Sequence, residues 1–124
     1  KSIPGQPSPA SRACLSCHDG TVAVDAYGAQ TSGTSFAGNI GRDLQNHHPI
    51  SFVYDTALAV LNTRLYDPAT KLTALGHSIA TDLLVGGKVE CSSCHDVHNR
   101  SGNEKYFKIT GQNDALCKTC HKIF

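Results

Sequence analysis

Apolar residues recur at helical spacing in one stretch of the chain, directly after Asp55. The pattern predicts a helix that Asp55 caps and that ends before Pro68, because proline cannot continue a helix. Its apolar positions are Ala57, Leu58, Val60, Leu61 and Leu65. Elsewhere no run alternates strongly between apolar and polar residues, so the sequence predicts little β structure.

The other segments predict short elements joined by long loops. Residues 1–11 are rich in proline and predict an extended N-terminal arm, which leaves residues 12–124 as a single domain. Glycine, serine, threonine and alanine dominate residues 26–41, and this composition is typical of a loop. We therefore expect a mainly irregular and α-helical fold.

Two further short helices are indicated in the C-terminal half of the chain. Residues 78–90 predict a turn of helix that is followed by a tight turn at Gly86 and Gly87. Either Asn113 or Asp114 is the predicted cap of a last short helix.

The protein core that these elements can build is thin for a chain of 124 residues. Apolar residues make up 40% of the sequence, but it contains only four Phe, four Tyr and no Trp. We therefore expect a bound group to fill much of the interior. The formal net charge of +1 gives no sign of a surface for nucleic acid or anionic membrane. No apolar run is long enough to span a membrane.

All six cysteines fall in three Cys-x-x-Cys-His motifs. The motifs are Cys14-Leu-Ser-Cys17-His18, Cys91-Ser-Ser-Cys94-His95 and Cys117-Lys-Thr-Cys120-His121. This pattern is typical of the covalent attachment of c-type haem. Two thiols three positions apart on a helical turn can each form a thioether with a haem vinyl group, and the adjacent imidazole then lies under the iron as its proximal ligand. The sequence therefore predicts three haem c groups, around which the helices and loops wrap.

A zinc site or a redox disulfide is the alternative interpretation of each cysteine pair. A zinc ribbon joins two such motifs, which would leave the third unused, and a disulfide has no need of a histidine after every pair. With seven His among 124 residues, the chance placement of one after all three pairs is improbable. Haem attachment is therefore the favoured interpretation.

The second axial ligand of each iron is also predicted to be a histidine. His18, His95 and His121 supply the first ligands, and the chain contains no Met for the Met/His alternative. We expect three of the four remaining histidines to be the distal ligands. These four are His47, His48, His77 and His98. Ligation by two histidines implies low reduction potentials, because Met/His ligation raises them.

The surroundings of these four histidines differ. His98 lies three residues after the second motif, too few to fold back onto the same iron, so we expect it to ligate a neighbouring haem. His48 precedes Pro49, which restricts its backbone. In an extended segment His47 points to the opposite face and would serve a different iron. His77 has no comparable signal. For each of them the alternative is an exposed histidine or one bonded to a haem propionate.

Two carboxylates, Asp19 and Asp96, each directly follow a proximal histidine. Carboxylates in such positions can orient a metal-binding imidazole through a hydrogen bond. Simple exposure to solvent is the favoured interpretation of both.

Three segments together resemble the multihaem c-type cytochromes of metal-reducing bacteria. The resemblance implies a protein that is exported, receives haem outside the cytoplasm, and carries electrons in the periplasm or at the cell surface. Some relatives polymerise into filaments in which a histidine of one subunit ligates a haem of the next. The segments are Cys14-Leu-Ser-Cys17-His18-Asp-Gly-Thr, His47-His48-Pro-Ile-Ser-Phe-Val-Tyr-Asp and Gly87-Lys-Val-Glu-Cys91-Ser-Ser-Cys94-His95-Asp-Val-His98-Asn.

The expected function is therefore electron transfer along three low-potential haems. The protein would be either a carrier or a filament subunit, with redox proteins or extracellular acceptors as partners. The alternative is a small multihaem reductase, which needs one iron with an open sixth position. Four spare histidines for three irons argue against an enzyme.

Overall fold

The computed structural model describes residues 6–21, 38–111 and 114–122. In these residues five short helices, one 3₁₀ turn and one pair of two-residue strands are joined by loops, which confirms the predicted fold class. The helices are α1 (Pro9–His18), α2 (Thr56–Leu61), α3 (Ile79–Asp82), α4 (Cys91–Cys94) and α5 (Ala115–Cys120), the strands are β1 (Phe52–Val53) and β2 (Lys88–Val89), and the 3₁₀ turn is Glu104–Tyr106. None of the described helices is long and apolar enough to cross a membrane.

The described residues contain one apolar core, and it is small. Ile79, the first residue of α3, is fully buried at its centre. The last helix packs against this core through Ala115, Leu116 and Cys120. The core residues are Tyr54, Leu65, Ile79, Leu83, Val89 and Ile109.

The two strands bring the residues before α2 against the residues before α4. β1 and β2 are antiparallel, with Phe52 opposite Val89 and Val53 opposite Lys88. The predicted glycine turn leads into β2, and Gly86 and Gly87 both have the positive φ angles (57° and 75°) that favour glycine. This pairing places residue 51 beside the start of α4.

Helix α2 is shorter than the apolar pattern predicts. Asp55 caps it as expected, since its carboxylate accepts a hydrogen bond of 2.8 Å from the Leu58 amide. The prediction that the helix continues to Pro68 is wrong, because Asn62 adopts an extended backbone and ends it after Leu61. Leu65 then turns into the apolar core and forms a bridge with His121. Leu65 is thus buried in the core and does not extend the helix.

Helix α1 begins inside the segment that was predicted to be an extended arm. Pro9 is its first residue, a position at which the fixed φ of proline suits a helix. The Arg12 amide donates to the Ser8 carbonyl at 2.9 Å, and Ser11 is fully buried. The extended conformation is therefore wrong for residues 9–11, while residues 1–5 lie outside the described residues.

Two other predictions fall partly outside the described residues. Of the predicted loop 26–41, the structure describes only residues 38–41, which are in no helix or strand. Asn113, one of the two predicted caps of α5, is not described. The other, Asp114, precedes the helix in a left-handed conformation and its side chain makes no capping hydrogen bond.

Candidate haem-attachment sites

Each Cys-x-x-Cys pair lies within a single helix. α4 is the pair Cys91–Cys94 itself, whereas the other two pairs occupy the last turns of α1 and α5. Residues three apart lie on the same side of a helix, so both thiols of each motif can reach one ligand. The histidine that follows is the final residue of α1 in the first motif, and an extended residue directly after the helix in the other two.

The rings of two motif histidines are oriented by main-chain carbonyls. Nδ1 of His18 donates to the Gly38 carbonyl at 2.6 Å, and Nδ1 of His95 donates to the Lys105 carbonyl at 2.8 Å. Such bonds fix the tautomer in which Nε2 carries the lone pair that binds a metal. The His95 ring also stacks on Phe107, with the ring centres 4.8 Å apart.

The histidine of the third motif, His121, faces His48. Their ring centres are 6.4 Å apart, and the ring planes are inclined at 75°. Burial, followed by the charge of His48, lowers the pKa of His121 below its ordinary value. This shift favours the neutral form of His121, which is the form that binds metal. Nδ1 of His48 donates to the Pro49 carbonyl at 2.8 Å, so its tautomer is fixed in the same way as that of His18 and His95.

An open cleft beside α4 brings part of the predicted site together. His47 and His48 line it together with Cys91, Cys94 and His95. The rest of its wall is mostly apolar and includes Leu15, Ile40, Leu44 and Ile50. A largely apolar cleft that meets a cysteine pair and imidazoles suits a flat, apolar, iron-containing ligand.

The cysteines of neighbouring motifs lie close together. Burial raises the pKa of Cys14, and the nearby Cys91 raises it further through its charge and a hydrogen bond. Burial likewise raises the pKa of Cys94, with an added contribution from the charge of Cys117. Cys120 reaches a pKa of about 11 through burial and the charges of Cys94 and Cys117. The second motif therefore has cysteines near those of both the first and the third motif.

All four distal candidates are exposed, but His77 and His98 do not line the cleft. Nδ1 of His77 lies 3.1 Å from Oδ1 of Asp82, and the imidazole is 70% exposed while the carboxylate is only 8% exposed. The His98 amide donates to Oδ1 of Asp96 at 3.1 Å, and its side chain lies at the surface. Asp82 thus orients a candidate ligand, a role that the sequence did not single out.

The two carboxylates that the sequence did single out form local turns. Asp19 accepts hydrogen bonds from the amide and the hydroxyl of Thr21, at 2.9 and 2.6 Å. Asp96 accepts from the amides of His98 and Arg100 and forms an ion pair with the exposed Arg100 side chain. These bonds shape the chain after each motif.

The donor set fits haem c better than zinc. Each motif offers two cysteine thiols from one helix and one imidazole, and two of the imidazoles are already oriented by carbonyls. A zinc site would need several ligands that converge on one point. No group of three or more His, Cys, Asp or Glu in the described ranges is arranged to hold a metal ion.

The C-terminal part of the chain matches a known family model. Residues 84–123, less than half of the chain, match the family described as "Doubled CXXCH motif". The match covers the second and third motifs and supports a multihaem c-type cytochrome. No curated protein and no solved structure matches the chain.

Proposed function

We propose that this chain holds three covalently bound haems, each ligated by two histidines, and that it carries electrons between them. The observation that supports this most is the succession of attachment sites, in which Cys14 adjoins Cys91 and Cys94 adjoins Cys117. Ligands tethered at adjoining sites are held near each other by covalent bonds. When bound, haem supplies one-electron redox chemistry, and the protein sets ligation, spacing and exposure.

His48 and His121 are the pair of imidazoles that would hold an iron between them. A metal bonded about 2 Å from a nitrogen of each ring requires ring centres roughly 6 Å apart. The observed separation is 6.4 Å. We assign His48 as the distal ligand at the third motif. His47 lines the cleft with His95 and is assigned to the second motif, which leaves His77 and His98 as candidates for the first.

The assignment is tested with His48→Ala and the control Gln45→Ala. Gln45 is an exposed neighbour in the same loop. The purified protein should have the mass of the polypeptide plus three haems, and a spectrum with low-spin iron only. We expect His48→Ala to convert one haem of the three to the high-spin form, while Gln45→Ala changes nothing. A mass equal to that of the bare polypeptide would contradict the proposed function, and an unchanged spectrum in His48→Ala would contradict only the assignment.

We further propose that the protein is an electron carrier and not an enzyme. A reductase requires an iron with an open or displaceable ligand, whereas this chain offers four histidines for three distal positions. The reduced protein should therefore not bind carbon monoxide. Carbon monoxide binding by the unmodified protein would instead favour the reductase.

The location and assembly of the carrier are also part of the proposal. The resemblance to cytochromes of metal-reducing bacteria favours an exported protein of the periplasm or cell surface, whose partners are redox proteins or extracellular acceptors. The protein would act either as such a carrier or as a subunit of a filament in which a histidine ligand is shared between subunits. Light scattering of the holoprotein distinguishes the two forms, because a stable monomer would exclude the filament and leave the carrier.

A further inference from the structure

Glu90 is a buried carboxylate at the wall of the cleft described above. It directly precedes α4, is only 2% exposed, and lines the cleft together with Cys91, Cys94 and His95. The sequence places it next to an attachment cysteine, but nothing in the local pattern predicts that it is buried. Acidic side chains are rarely this buried without a compensating partner.

Three serine hydroxyls surround this carboxylate. Ser8 donates to Oε1, Ser11 donates to Oε2, and Ser51 donates to Oε2 at 2.8 Å. We refer to Glu90, Ser8, Ser11 and Ser51 as the polar cluster. The ion pairs found in the described parts of the chain are His77–Asp82 and Arg100–Asp96, so no cation within salt-bridge distance neutralises Glu90 there.

The carboxylate of Glu90 is held in its ionised form. Burial would raise its pKa, but hydrogen bonds from Ser11, Ser8 and Ser51 and the charge of Lys88 together lower it below the ordinary value. The hydroxyl dipoles stabilise the negative charge without cancelling it. At neutral pH the cleft therefore contains a fixed negative charge.

We propose that the buried negative charge of Glu90 lowers the reduction potential of the haem attached to Cys91 and Cys94. This inference rests on the proposed function, since it requires haem at the second motif. A ferric haem carries one more positive charge than a ferrous haem, so a nearby anion favours the ferric form. The effect is strong in a buried, low-dielectric location and weak for an exposed charge that water and salt screen.

The chain offers a matched control, because Glu90 and Glu104 are its only glutamates. Glu104 is exposed at the start of the 3₁₀ turn. At neutral pH, Glu90→Gln should shift one of three midpoint potentials upward in spectroelectrochemical titration, and NMR should identify that haem as the one ligated by His95. Glu104→Gln should leave all three potentials close to those of the parent. Equal shifts in the two variants, or no shift in Glu90→Gln, would overturn the proposal.

A second variant keeps the test decisive if Glu90→Gln does not fold. Ser51→Ala removes a hydroxyl whose dipole partly offsets the charge of Glu90. At mildly alkaline pH, where Glu90 stays ionised, the same midpoint should therefore shift downward, opposite in sign to the shift in Glu90→Gln. A general structural disturbance would shift the midpoint in the same direction in both variants. An upward or absent shift in Ser51→Ala contradicts the proposal. Loss of haem from the parent protein would instead contradict the proposed function.

Discussion

The first and third attachment motifs are held in place by different kinds of interaction. α5 packs through Ala115, Leu116 and Cys120 against the apolar core. α1 is instead fastened to the start of α4 by the polar cluster, in which Glu90 accepts hydrogen bonds from Ser8 and Ser11. The Cys91 amide extends this contact by donating to Ser11 at 3.2 Å.

The difference matters because the two interactions respond to different conditions. Apolar burial is non-directional and does not depend on the charge of a side chain. A buried carboxylate held by three hydroxyls depends on geometry and on the charge of Glu90. The third motif should therefore detach only when the whole fold unfolds. The first motif should detach under changes that break the polar cluster and leave the core intact.

The largest expected effect is on the core. Ile79 is fully buried, and Ile79→Ala leaves a cavity that should cost about 2–5 kcal/mol in the free energy of unfolding. Denaturant unfolding of the holoprotein, followed by far-UV circular dichroism, measures this cost. Leu61→Ala is the control, because Leu61 is 85% exposed and its removal should change stability by less than about 0.5 kcal/mol. Equal costs in both variants would show that this core does not hold the fold.

The second prediction is that acid releases α1 before α5. Because the pKa of Glu90 is lowered in the folded state, its stabilising contribution is complete above the pKa of an unfolded Glu, about 4.3. The contribution declines below that pH and is lost as the pH falls through the lower, folded pKa. Hydrogen exchange of the α1 amides should therefore accelerate relative to α5 on acidification. In Glu90→Gln this dependence on pH should disappear. If exchange in the parent protein accelerated equally in both helices, the two motifs would not be held by different interactions.

The same contrast explains how much could be predicted from sequence. The Asp55 cap and the glycine turn at residues 86 and 87 were predicted because each depends on neighbours a few residues away. The Cys-x-x-Cys-His motifs are equally local. The polar cluster was not predictable, because Ser8 and Ser11 lie 82 and 79 residues from Glu90 in the sequence.

The two wrong predictions, of the end of α2 and of the conformation of residues 9–11, have the same origin. The apolar spacing after Asp55 continues to Leu65, but burial of that residue in the core outweighs the local preference for helix. Prolines in residues 1–11 favour an extended chain, yet Pro9 begins α1 because the helix can then bury Ser11 against Glu90. In both places a distant contact decides the conformation. The contact between His48 and His121 is a third long-range contact, and the sequence did not predict which of the four histidines would face which motif.

A third prediction tests the polar cluster without removing its charge. Ser11→Ala deletes the hydroxyl that donates to Glu90 and accepts from the Cys91 amide, and leaving these buried groups unpaired should cost about 1–3 kcal/mol. Proteolysis within α1 should become faster, while exchange in α5 stays near that of the parent. Ser16→Ala, at an exposed position of the same helix, is the matched control. A uniform loss of protection in both helices would mean that the two motifs are not held independently.

The smallest expected effect concerns the cap of α2, which adjoins the apolar core through Leu58. Asp55→Ala leaves the Leu58 amide without its side-chain acceptor and should cost about 1 kcal/mol. Asp55→Asn keeps an acceptor oxygen at the cap and should restore most of this stability, so the pair separates the hydrogen bond from the negative charge. Because α2 belongs to the core side of the molecule, the loss in Asp55→Ala should appear in global unfolding. Hydrogen exchange of the α1 amides should not accelerate under conditions in which the whole protein stays folded. Selective loosening of α1 in Asp55→Ala would show that the polar cluster depends on the core, and the contrast between the two motifs would then fail.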